Sequence, residues 1–188
     1  IEHHLSKGNM NVFNMLNTKY FIVNGENKQP QPQINFEALG NAWFVRDFKM
    51  VKNADEEIEA LNTFRPKETA IVDQRFENFI KGQSFAYDST ATITLKTYSP
   101  NQLVYEYTAK QNQLAVFSDI YYDKGWIAYI DGQEVPHFRV DYILRAMMVP
   151  AGKHTIEFKF HPKVYYTGEK ISLASSSILI LSVLAALG

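Results

Sequence analysis

From Val116 to Pro162 short apolar runs are separated by turn-forming residues, and within the runs apolar and polar positions alternate. Ile156, Phe158 and Phe160 face one way and Thr155, Glu157 and Lys159 the other, the two-residue period of a half-buried strand. Trp126, Ala128 and Ile130 share a face in the same manner, opposite Ile127, Tyr129 and Asp131. Asp131-Gly132 predicts a hairpin, because a type I′ turn needs positive φ at both central residues. Asp123-Lys124-Gly125 and Pro150-Ala151-Gly152 mark further turns. Upstream, Ala91, Ile93 and Leu95 alternate with Thr90, Thr92, Thr94 and Lys96, and Ser99-Pro100-Asn101 turns the chain. Leu103, Tyr105 and Tyr107 follow on one face, then Leu114 to Asp119. From Thr90 to Phe160 this makes about seven antiparallel strands, a number that closes into a sandwich with Trp126, Ile156, Phe158 and Phe160 inward.

The first 80 residues are patterned differently. Val12, Met15 and Leu16 have helical spacing, Lys19 to Val23 reads as a short strand, and Gly25 to Asn35, with Pro30 and Pro32, as a loop. Asn41 to Val51 reads as a strand. Asn53 is placed to cap a helix with Glu56 at its third position, Ile58 and Leu61 on its apolar side and Pro66 beyond its end. Thr69 to Asp73 reads as a returning strand. The expected organisation is therefore α+β: a small α/β segment over residues 1–80, an antiparallel β-sandwich over 81–165, and a C-terminal apolar helix, with Arg75 to Ser89 as the boundary region.

The tail stands apart, since Ile171 to Gly188 contains no charged residue. These 18 residues would rise roughly 27 Å as a helix, nearly the hydrocarbon thickness of a bilayer. By pattern alone they fit a buried C-terminal helix or the start of a membrane span over 171–188. The chain begins at Ile1 without Met and shows no signal peptide, which reads as a piece of a longer protein.

Net charge of −1 with no basic run gives no basis for nucleic-acid binding. Absence of cysteine excludes a disulfide framework, a thiolate nucleophile and cysteine-based zinc. No phosphate-binding glycine loop, zinc-protease helix or nucleophile elbow occurs, so no cofactor and no catalytic residue is expected. His3 and His4 are adjacent and would point apart in a strand, and His137, His154 and His161 are scattered, so no metal site is expected either.

Two groups of residues remain as candidate ligand contacts. His137, Arg139 and Asp141 are spaced two apart, so one continuous strand would place them on a common face, with Arg145 and Asp119 nearby. Arginine offers a bidentate fork for a phosphate or hydroxyl-rich ligand; the simpler reading of the same residues is a solvated sheet face with cross-strand ion pairs. Tyr121, Tyr122 and Trp126 adjoin one turn, where aromatic rings could stack on the C–H faces of a sugar or, for Trp126, fill the sandwich core.

The strings LAVFSDIYYDKGWIAYIDG, RVDYILRAMMVPAGKHTIEFKFHP, MLNTKYFIV and LGNAWFV resemble the C-terminal extracytoplasmic region of YfhO-like bacterial multi-pass membrane proteins, from roughly Met15 to the end. Those proteins are similar to membrane-embedded glycosyltransferases that take sugars from polyprenyl-phosphate carriers. The resemblance implies a domain on the extracytoplasmic side of the cell membrane whose tail begins a span. Its partners would be the membrane portion of the same polypeptide and a cell-envelope glycan. It transfers no catalytic site, because the acidic catalytic residues of such enzymes lie in loops of the membrane-embedded part. The expected role is to bind or orient a glycan acceptor; the alternative is a structural or protein-interaction domain without a ligand. A self-contained hydrolase is disfavoured, since no nucleophile–base or paired-carboxylate arrangement is visible.

Overall fold

The computed structural model describes residues 1–25 and 28–187. It is α+β, as the pattern predicts. Two antiparallel sheets face each other, a mixed layer covers the outer side of one of them, and a long helix leaves one end. The first sheet contains β6 (Thr92–Ser99), β7 (Gln102–Ala109), β9 (Trp126–Ile130), β10 (Gln133–Val135) and β13 (Gly152–Phe160), in the order β10-β9-β13-β7-β6. The second contains β3 (Ala42–Val45), β8 (Gln113–Ile120), β11 (Phe138–Val140) and β12 (Leu144–Val149), in the order β11-β12-β8-β3. Asp131 and Gly132 adopt φ of 50° and 82°, and Ile130 pairs with Gln133 across them, as the Asp-Gly signal requires.

Phe117, Met147, Ile156 and Phe158 fill the space between the sheets, with Tyr105 crossing edge-on to Phe117 at 5.0 Å. The second sheet is apolar on its other face too. Trp43, Val45, Leu114, Val116 and Phe138 pack there against an outer layer, which explains why Leu114 to Phe117 is an unbroken apolar run rather than an alternating one. That layer comprises α1 (Glu2–Ser6), α2 (Met10–Met15), the parallel pair β4 (Asp47–Val51) and β5 (Thr69–Asp73), and α3 (Ala54–Ala60) joining the two. The predicted cap of α3 is present: Glu56 N–H donates to Asn53 Oδ1 at 2.9 Å, and Glu56 Oε2 accepts from Lys52 N–H at 3.0 Å. A short turn of 3₁₀ helix (Gln74–Phe76) and α4 (Glu77–Ile80) follow β5.

Several expectations are revised. Residues 41–51 form two strands in different sheets rather than one. The carbonyl of Glu68 accepts from the N–H groups of both Arg46 and Asp47, at 2.8 and 3.1 Å, and the chain turns there from β3 into β4. The sandwich thus has nine strands, eight from the expected region and β3 from the first 80 residues. Within the expected loop, Pro30–Ile34 is a strand, β2, paired with β1 (Tyr20–Asn24); Glu26 and Asn27 between them lie outside the described residues. Prolines are admitted because the ribbon has only two strands, so their missing donors face no neighbour. His3 and His4 lie in α1, not a strand, and buried His4 reaches the Ile58 carbonyl at 3.0 Å through Nε2. Phe160 and Trp126 are half-buried, because they stand at the open end of the sandwich rather than in its middle.

α5 (Lys163–Leu187) starts eight residues before the expected position, so the polar linker is its first two turns. None of its described side chains is buried, and it is long and apolar enough to cross a membrane.

Candidate functional site

β9 and β13 begin and end at the same edge of the sandwich: Trp126 pairs with Phe160, and their rings meet at 5.3 Å. Gly125, just before β9, has φ 147° and lies where any side chain would strike the Phe160 ring. Its carbonyl accepts from His161 N–H at 2.7 Å, which fixes the exit of the chain. His161 then stacks on Tyr166, in the first turn of α5, at 4.0 Å and 15°. Between this junction and the crossover Val135-Pro136-His137 lies an open cleft of ≈ 920 Å³.

Four of the seven candidate contacts stand on its wall: Tyr121, Tyr122, Trp126 and His137. Tyr122 is the most accessible at 48 % exposure, with its ring near Phe160. Tyr121 is half-buried between Phe76 and His137, at 5.7 and 5.6 Å, and its N–H donates to the Ile143 carbonyl at 2.7 Å. Burial, followed by the charge of Asp123, raises the Tyr121 phenol above its ordinary range. Trp126 is neither wholly core nor wholly free: one face covers the Arg145 guanidinium at 4.2 Å. Burial, and then repulsion from Arg145, pulls the His137 imidazole down to about 4, so the ring is neutral. Its Nε2 is buried with no hydrogen-bond partner among the described residues.

The other three do not join them. β11 ends at Val140, and Asp141 and Tyr142 turn through left-handed conformations, φ 51° and 72°. His137, Arg139 and Asp141 are therefore not one continuous strand face. Arg139 points into the outer layer, where Nη2 donates to Glu57 Oε2 at 2.5 Å and lies 3.6 Å from Asp73 Oδ2. Rather than a solvated pair, this is a covered one, with the Glu57 side chain fully buried and that of Arg139 18 % exposed. Burial raises the Glu57 pKa despite the Tyr142 N–H and the Arg139 cation beside it. Asp141 is buried in the same layer and receives Ile71 N–H at 2.7 Å. Arg145 is buried between the sheets, its Nε donating to the Ile120 carbonyl at 2.9 Å. Both arginines already have intramolecular partners, so the charges on the cleft wall are those of Lys124 and Lys163 against Asp123 and Glu134, set among aromatic rings.

Sequence reasoning missed the far wall. Phe79 of α4, His161, Lys163 and Tyr165 also line the cleft. The signal for His161, Lys163 and Tyr165 was local and ambiguous, a His-Pro step before an apolar helix, and Phe79 lay in the stretch read only as a boundary. Among the described residues no group of three or more His, Asp and Glu side chains converges as metal ligands would.

Residues 74–172 match the family model of the bacterial membrane protein YfhO. No curated protein and no solved structure matches the chain.

Proposed function

Since the chain belongs to the family of the bacterial membrane protein YfhO, we propose that it is an extracytoplasmic accessory domain of a membrane glycosyltransferase-like protein, and that the cleft beside α5 holds a cell-envelope glycan acceptor. The observation that carries this reading is the position of the aromatic wall. Tyr122, Trp126 and Tyr165 line a cleft at the root of the one described helix able to cross a membrane. A ligand seated there is presented to the membrane portion of the same polypeptide, where the chemistry would occur.

Ring faces stack on the C–H faces of pyranoses, and neutral His137 with Glu134 and Asp123 on the cleft wall supplies hydroxyl partners. Lys124 and Lys163 on the wall are balanced by Asp123 and Glu134, and neither Arg139 nor Arg145 lines the cleft, so apolar walls with mixed polar groups suit an uncharged sugar better than a phosphate.

The test is a glycan array probed with the full chain in detergent, followed by titration of the best oligosaccharide against Tyr122→Ala. Loss of one stacked ring is expected to cost about 0.5–1.5 kcal/mol, up to roughly tenfold in Kd, with thermal stability unchanged. A chain that binds no glycan on the array would be a structural or protein-interaction domain, and undiminished binding by Tyr122→Ala would move the site out of the cleft.

A further inference from the structure

The β1–β2 ribbon leaves apolar side chains in the open. Direct pairs across it are Tyr20 with Ile34, Ile22 with Pro32 and Asn24 with Pro30, so these six share one face. Phe21 and Gln33, with Val23 and Gln31, share the other. Phe21 meets Phe13 of α2 edge-on at 5.1 Å and is half-buried, while Val23, Gln31 and Gln33 on the same face are exposed. The apolar face is turned away, with Ile22 70 % exposed and Phe36, just beyond the ribbon, 86 % exposed. A two-stranded ribbon with no packed face is marginal in water.

The ribbon's location names its partner. Asn35 Nδ2 ties its root to Asn14 Oδ1 and the Thr18 carbonyl, at 2.9 and 2.8 Å. Ser118 Oγ then ties that root to the end of β8, donating to the carbonyls of Met15 and Gly40 at 3.0 and 2.6 Å. β8 finishes at the same end of the sandwich as β13, because Ile120 pairs with Leu144 at the start of β12 while β12 runs on through Pro150 into the far end of β13. α5 leaves from that end. Exposed Tyr98, Ile120 and Tyr122 are there as well. Outside α5, Met10 and Tyr87 are the only large exposed apolar side chains among the described residues that lie elsewhere.

We infer that the outer face of the β1–β2 ribbon, with Phe36, is a second membrane contact, seated in the interfacial layer of the bilayer that α5 enters. Tyrosine and isoleucine side chains at the ribbon's rim suit the boundary between headgroups and acyl chains. This inference rests on α5 being inserted.

The chain has no cysteine, which permits single labels. Ile22→Cys, Phe36→Cys, Tyr87→Cys and Leu179→Cys, each carrying a nitroxide, are reconstituted separately in phosphatidylcholine vesicles. Collision with oxygen, which concentrates in lipid, is compared with collision with a water-soluble nickel chelate. Labels at 22 and 36 are expected to show a severalfold loss of nickel collision relative to 87, and 179 a larger one. Nickel access at 22 and 36 equal to that at 87, with 179 shielded, overturns the ribbon contact while leaving the span intact. Nickel access at 179 removes the span and the inference with it. Shielding at 22 and 36 accompanied by spin–spin broadening that unlabelled chain dilutes away would assign the face to a second copy, and also overturns the inference.

Discussion

Asp141 is held in a left-handed turn with its carboxyl wholly buried: Oδ1 accepts from Ile71 N–H, and Oδ2 has no partner among the described residues. Burial, reinforced by the neighbouring Glu57 charge, pushes its pKa up to about 8 against the Ile71 hydrogen bond, which favours the anion. The folded chain therefore keeps a proton that the unfolded chain releases near its ordinary 3.8. The stability this group contributes is complete below pH 3.8 and is lost as pH rises through about 8. Its slope inside that window is up to about 1.4 kcal/mol per pH unit. Asp141→Asn preserves the acceptor and has no proton to lose. Its urea midpoint should fall less than that of the parent between pH 5 and 8, and a parent midpoint that rises relative to the variant across that interval would mean a carboxylate already charged at position 141. None of this was legible in the sequence, where Asp141 stood two places from Arg139 like any surface residue. What buries it is Ile71, 70 positions away, and the period-two rule that linked it to His137 fails once backbone turns through positive φ.

At the scale of elements, α3 is tied to β11 and to the turn after it by one carboxylate. Glu57 receives Arg139 Nη2 through Oε2 and Tyr142 N–H through Oε1, at 2.5 and 2.9 Å. Arg139→Ala strands that carboxylate without its cation in a covered site. The expected loss is about 3–5 kcal/mol in a denaturant titration, with glycan binding by the remaining folded chain unaltered. A midpoint within experimental error of the parent would return Arg139 to the role of a surface charge. Signals that depend on adjacent residues were readable: Asp131-Gly132 turned, Asn53 capped, and Ile156 and Phe158 faced inward. Signals that depend on distant partners were not. Pro30 and Pro32 argue against a strand until the ribbon is seen to have no third member, and four of seven candidate contacts met only because the Pro136 crossover folds His137 back toward Tyr121.

The whole molecule divides into a packed body and an unpacked helix. No described side chain beyond Lys170 is buried, so a chain ending at Lys170 should melt at the same temperature as the full one, stay soluble without detergent and lose self-association. Unfolding on that truncation would make the distal helix part of the core. The body has a closure with a consequence in time. Phe44 of β3 pairs with Ala115 of β8, 71 residues later. At about 5–20 residues per second, a nascent chain reaches Ala115 roughly 4–14 s after Phe44. Throughout that delay Ala42–Val45 has no neighbour in its sheet, although Trp43, Phe44 and Val45 are all destined for burial. Every copy made passes through seconds in which a bare, sticky edge awaits its own C-terminal half. Overproduction should therefore fail first by association of half-made chains, and slowing initiation should recover more folded protein than strengthening the finished sandwich.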